Sequence, residues 1–303
     1  MLNRKVFFAI LIVIVMLTSV VYAQIPNPLK DVKVSTTVAF DPKTGIYSFS
    51  YEIYNPTIND GQIRSFEIDI TGKTSDTTLS CEGLINGPCY EEHTSTLNLQ
   101  RTQMVPIGID GPSGFLPDFP KATIWGCGLS ANGSASWGSA DEPYRIFPGK
   151  KLGGFKLTSC GLPGIRQAAL ELAIDYDNLP AEYYENVELT KQLQDSLAYK
   201  TKTVGPTAPP ADFKPLDFLN YIIDLKHQSA ALGWITDKGI ENSLDVKLDN
   251  AKRKIEAGDM KTAQNTLNAF MNEVEAQNRK SLTSEAYVLL KYNAQYLIDH
   301  LPK

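Results

Sequence analysis

The sequence predicts two domains: an all-β antiparallel sandwich, followed by a small all-α antiparallel helical bundle. Three observations carry that reading. Apolar residues alternate with period two from Val32 to about Asp175. They recur with helical period after Asp212. Between the two lies TVGPTAPP, whose prolines break both patterns. The expected organisation is a leader over 1–23, a β domain over 24–202, a Pro-rich linker over 203–211 and a helical bundle over 212–303.

The leader comes first. Arg4 and Lys5 precede an uncharged apolar run from Val6 to Val21, which ends in Val21-Tyr22-Ala23 before Gln24. A basic start, an apolar centre and small residues at −3 and −1 form a secretory signal peptide, with cleavage expected after Ala23. The run is shorter than the roughly 20 residues that span a bilayer, so no stable membrane span is expected once it is removed. Export to the periplasm, the cell surface or the medium follows.

In the β domain, Val32, Val34, Thr36, Val38 and Phe40 alternate along one strand, and Tyr47, Phe49, Tyr51 and Ile53 along the next. The cluster DPKTG between them predicts a hairpin turn. Phe66, Ile68 and Ile70 share one face of a third strand that opens at Ile63. Further short strands are expected at Thr77–Cys81, Met104–Ile109, Ala122–Cys127, Ser134–Trp137, Tyr144–Phe147 and Leu152–Thr158. Ala168, Leu170, Leu172 and Ile174 suggest a last strand, with helix as the rival reading. Many short strands with regular turns imply a sandwich. A helix is expected over 186–200.

After the linker, Leu216, Leu219, Ile223 and the stem of Lys226 are expected on one face of a first helix. Thr236 can cap a second helix with the stripe Ile240, Leu244, Leu248, Ala251 and Ile255. Gly258 ends it and Asp259 starts a third, with the stripe Ala263, Leu267, Phe270 and Val274. Thr283 can cap a fourth, with Glu285 near its start and Ala286, Leu290, Leu297 and Leu301 on its inner face. Short connections suit an antiparallel bundle.

The stretches ITDKGIENSLDVKLDNAKRKIEAGD, TAQNTLNAFMNEVEAQ and LTSEAYVLLKYNAQYLI resemble the FIMAH domain, a helical module at the end of secreted bacterial proteins. The likeness covers about Leu232–Leu301. It implies a bacterial origin and an accessory or interaction role, and it supplies no catalytic residues. The run IFPGKKLGGFKLTSCGLPGIR is similar to the end of immunoglobulin-like sandwiches in exported bacterial proteins.

The charge balance is 29 Lys+Arg against 34 Asp+Glu, a net −5 that becomes −7 if the leader is lost. An acidic chain argues against nucleic-acid binding. His93, His227 and His300 are far apart, and no serine-hydrolase elbow or phosphate-binding loop is present. Neither an enzyme nor a cofactor is expected. Cys81, Cys89, Cys127 and Cys160 suit disulfides in an oxidising compartment, with Cys81–Cys89 and Cys127–Cys160 favoured over a zinc site.

The sharpest binding reading is a carbohydrate platform of Trp125, Trp137 and Tyr144, in and beside the Gly-rich run WGCGLSANGSASWG. Core packing is the alternative for both tryptophans. Asp175, Asp177 and Asn178 offer oxygen ligands for calcium without the EF-hand spacing, so a plain turn competes. Glu67, Asp69, Glu91, Glu92 and Asp110 leave an unrecognised hydrolase as a second alternative. The expected function is a non-enzymatic binding protein whose partner is a protein, an envelope component or a glycan. Tyr292 and Tyr296, four apart on the last helix, either pack on a neighbour or form a partner-binding stripe.

Overall fold

The computed structural model describes residues 26–71, 107–115, 122–130, 133–139, 142–175 and 179–302. The leader, Cys81, Cys89, Glu91, Glu92 and the expected strand at 77–81 lie outside them.

The strands are β1 (Lys33–Asp41), β2 (Ile46–Tyr54), β3 (Ile63–Asp69), β4 (Ile107–Asp110), β5 (Ser113–Phe115), β6 (Ala122–Ile124), β7 (Gly126–Leu129), β8 (Ser134–Gly138), β9 (Lys151–Ser159), β10 (Leu162–Leu172) and β11 (Tyr199–Thr207). They form a four-stranded sheet ordered β1-β2-β9-β4, a five-stranded sheet ordered β11-β10-β3-β8-β7, and the small pair β5-β6. Every pairing is antiparallel. The predicted first hairpin forms with Asp41 opposite Ile46, and Gly45 closes its turn on the Asp41 carbonyl.

Period two explains how the sheets meet. Tyr51 and Phe155 of the first sheet touch Phe66 and Trp137 of the second, with ring centroids 5.6–6.0 Å apart. These four side chains are fully buried.

Three expectations are corrected in this region and one is borne out. The segment 203–207, expected as linker, is the end of β11, paired along β10. Pro206 breaks no ladder there, because β11 is an edge strand and Pro206 faces Pro163, so neither partner lacks a needed donor. Residues 144–147 do not form a strand. Tyr144 ends a 3-10 turn at Glu142–Tyr144, and the residues after it touch the sheet through one bridge, Ile146 to Ile63. Ala168, Leu170 and Leu172 lie in a strand, as expected, rather than in a helix; the strand starts earlier, at Leu162, and Ile174 falls beyond its end. The expected strand over Ala122–Cys127 splits at Trp125 into β6 and β7, which belong to different sheets.

Among the described residues two short helices precede β11: α1 (Ala181–Glu185) and α2 (Val187–Leu197). Four helices follow it: α3 (Pro215–Ala231), α4 (Lys238–Glu256), α5 (Met260–Gln277) and α6 (Ser284–His300). Asp237, not Thr236, caps α4, because its carboxylate reaches the Ile240 N–H at 2.9 Å. Asp259 caps α5 on Thr262, and Thr283 caps α6 on Ala286. Gly258 sits at φ 75°, the left-handed geometry that ends a helix and that side chains resist. The stripes of α4 and α5 are buried as predicted, except that Ile240 is half-buried. On α3 the buried face turns instead to Phe218, Leu219, Ile222, Leu225, Lys226 and Ser229, leaving Leu216 and Ile223 half-buried.

Helix α6 differs from its neighbours. Glu285, Ala286, Val288, Leu289, Leu290, Asn293, Ala294, Leu297 and Ile298 are all buried. A helix buried on nearly every side needs cover beyond three sister helices. The sheets provide it, since α6 packs on β1, β10 and β11 as well as on α3 and α5.

Candidate functional site

The sugar platform is not formed. Trp125 is 2% exposed and Trp137 1%. The Trp125 indole N–H donates to the Tyr144 carbonyl at 2.9 Å, and its ring meets Phe155 edge-on. The Trp137 indole N–H donates to the Asp110 carbonyl at 2.7 Å, and its ring stacks on Phe66 at 5.1 Å. Both polar handles are satisfied inside the protein, so the rings serve as core. Tyr144 is half-buried and contributes its carbonyl to Trp125.

The expected Cys127–Cys160 bond is also absent. Cys160 carries a thiol, half-buried at the tight turn between β9 and β10. Asp175 is exposed, while Asp177 and Asn178 lie outside the described residues. Among the described residues no three His, Cys, Asp or Glu side chains converge as metal ligands. Glu67 is exposed on β3. Asp69 is occupied with the Thr71 N–H and hydroxyl, and Asp110, on the other sheet, with the Gly111 N–H.

What the fold does bring together is α6 and the β1 edge. The Glu285 carboxylate accepts the Thr36 N–H at 2.6 Å. The Tyr292 hydroxyl donates to the Val38 carbonyl at 3.1 Å, and its ring lies edge-on to Tyr47 at 5.4 Å. The Asn293 amide donates to the Pro163 carbonyl at 2.9 Å and to Leu289 at 2.8 Å. Beneath them the hydroxyls of Thr36 and Thr203 share a 2.7 Å hydrogen bond that ties β1 to β11. Burial raises the Tyr47 hydroxyl well above its ordinary value, with Tyr292 and Asp299 adding to the shift. Tyr292 therefore packs on the sheet. Tyr296 turns to Phe213, Phe218 and His300, stacking on His300 at 4.0 Å.

Beside this junction an apolar cavity of about 220 Å³ opens between the β10–β11 end and α3, walled by Leu162, Thr207, Pro210, Phe218 and Tyr221. Burial pushes the Tyr221 hydroxyl up to about 12, against the opposing charge of Arg166. Arg166 is spent structurally, donating to the carbonyls of Pro206 and Thr71.

The α3–α6 helices, with capped ends and a Gly-Asp turn, are the part of the chain that known families account for. Residues 219–299 match the FIMAH domain. The FIMAH match begins within α3 and ends within α6, so it takes in the helix that contacts the sheets. No curated protein matches the chain. Among solved structures, a crystal structure described as an ApaA protein from Bordetella pertussis is similar at 12% identity and a TM-score of 0.25. The match covers 62% of this chain and 99% of that one. At that score the likeness bears on neither fold nor function.

No sequence motif marks Glu285 and Asn293 as contact residues. The signal available was two polar side chains on the inward side of an apolar helix, which suggests a polar partner within reach.

Proposed function

We propose that this chain is an exported bacterial interaction protein that works by binding rather than catalysis. The FIMAH match over 219–299 carries the reading, since that family resemblance implies a bacterial surface protein with no catalytic residues. The basic, apolar and small-residue leader supports export. No helix among the described residues is long and apolar enough to cross a membrane. In this reading the β region is an immunoglobulin-like sandwich, and the helical module anchors it to a protein or envelope component.

The test has two parts. The chain is exported from a bacterial host and its N-terminus read by mass spectrometry; a start at Gln24 is expected, and an intact Met1 overturns export. The purified chain is then titrated onto isolated bacterial envelope fractions and assayed with generic glycoside and ester substrates. Saturable binding without turnover is expected. Turnover, or no binding to any fraction, overturns the interaction reading.

A further inference from the structure

Among the described residues the first strand is an edge of its sheet, paired on one side only, to β2. Its sequence, KVSTTVAFD, has no proline, and its charges stand only at the two ends. Long edge strands without such protection are templates for another chain. Here the edge is covered by α6. Glu285 takes the Thr36 N–H, and Tyr292 takes the Val38 carbonyl. Both groups belong to even-numbered residues, so the even positions of β1 present their backbone groups to the open side.

We propose that α6 guards an edge that otherwise pairs with β1 of a second copy of this chain. An antiparallel β1–β1 pair centred on Thr37 sets Thr36 opposite Val38 and Val34 opposite Phe40. Even positions then meet even positions, so the N–H of Thr36, once released by α6, finds the released carbonyl of Val38 in the other copy. These are the two groups that α6 occupies. The same register sets Lys33 opposite Asp41 twice, related by the two-fold axis. Opposite charges directly across a pair are favourable and like charges unfavourable. Lys33, Ser35, Thr37, Ala39 and Asp41 are all exposed, so that face of the joined ladder stays solvated. Helix α6 and a second β1 therefore exclude one another, and the module acts as a monomer–dimer switch.

The test uses the full chain exported from a bacterial host. The double variant Glu285→Ala/Tyr292→Phe removes both contacts and keeps the aromatic ring. Light scattering should show its dimer dissociation constant at least tenfold below that of the parent. Adding Lys33→Asp places two carboxylates opposite each other at both ends and should return the protein to monomer, whereas Lys33→Arg should not. A double variant that stays monomeric, or a dimer indifferent to Lys33→Asp, overturns the proposal. Should the double variant lose its circular dichroism, the parent fold carrying Thr37→Cys is warmed until the Thr36 amide exchanges and is then treated with a short bismaleimide. A crosslink joining position 37 of two copies is expected. No crosslink, or one joining position 37 to any other site, overturns the proposal.

Discussion

The Glu285 carboxylate accepts the Thr36 backbone N–H at 2.6 Å, across 249 residues of sequence. Glu285 is buried, so this is a charge-assisted bond shielded from water. It joins the first turn of the last helix to the first strand, and with it the two ends of the described chain.

Removing that acceptor leaves a strand N–H without its partner. Glu285→Ala is expected to lower stability by about 1.5–3 kcal/mol, the range for hydrogen bonds to charged groups. Glu285→Gln keeps a carbonyl oxygen and should lose less. Urea midpoints at constant slope measure both. Equal losses for the two variants would show that the acceptor is not what matters.

The tryptophans are core, so their truncation should act on folding. Trp137→Ala is expected to cost about 3–5 kcal/mol, as for other large aromatic deletions. Trp137→Phe should recover part of that loss, because stacking on Phe66 persists while the bond to Asp110 is lost. Thermal and urea melts distinguish them. A folded Trp137→Ala protein with unchanged stability would contradict the buried placement.

Lys226 is fully buried on α3, with its ammonium 2.6 Å from Asp245 and 3.7 Å from Glu241 on α4. Both contacts are ion pairs. Replacing a whole buried ion pair by apolar side chains is often neutral, and the carboxylates that Lys226→Met leaves behind, Asp245 and Glu241, are only partly buried and can be solvated. Lys226→Met should stay within about 1 kcal/mol of the parent, on the same grounds. Asp245→Ala strands the ammonium and should cost about 2 kcal/mol, less than for an enclosed pair because Asp245 reaches solvent. Chemical denaturation tests the order of the two; the reverse order would refute it.

Two buried tyrosines and the half-buried Tyr221 make stability fall at high pH. Burial raises Tyr47, Tyr51 and Tyr221 above their ordinary value near 10. Above pH 10 the unfolded chain gives up these protons while the folded chain keeps them. Their contribution is therefore complete below pH 10 and is lost as pH climbs through the folded values. Urea midpoints should be flat in this respect from pH 8 to 10 and drop beyond. Absorbance at 295 nm should show these tyrosines ionising late, together with unfolding. Ionisation of all tyrosines near pH 10 in the folded protein would count against it.

The thiol at Cys160 is checked by alkylating denatured, unreduced protein. The Cys160 peptide should be labelled, and a peptide crosslinked between Cys127 and Cys160 should be missing.

Much of this architecture follows from local pattern. Tyr47, Phe49, Tyr51 and Ile53 must bury one face of a strand, and Leu244, Leu248, Ala251 and Ile255 one face of a helix, because period alone decides which side leaves water. Gly258-Asp259 turns readily, because glycine takes a positive φ without strain and the next residue caps the helix. Such signals lie within a few residues of the feature they specify. The placement of Trp125 and Trp137 was not legible in this way. Glycines around an aromatic residue look the same in a loop and in a strand whose core needs a large ring. The proline run after Thr203 misled for a related reason, since an edge strand and a linker both tolerate a missing N–H. The contacts of Glu285 with Thr36, Tyr292 with Val38 and Asn293 with Pro163 were beyond reach altogether. Periodicity sorts residues by burial, but a polar residue on a buried face names no partner. Only tertiary packing, which brings residue 285 to residue 36, decides which backbone group its side chain must satisfy.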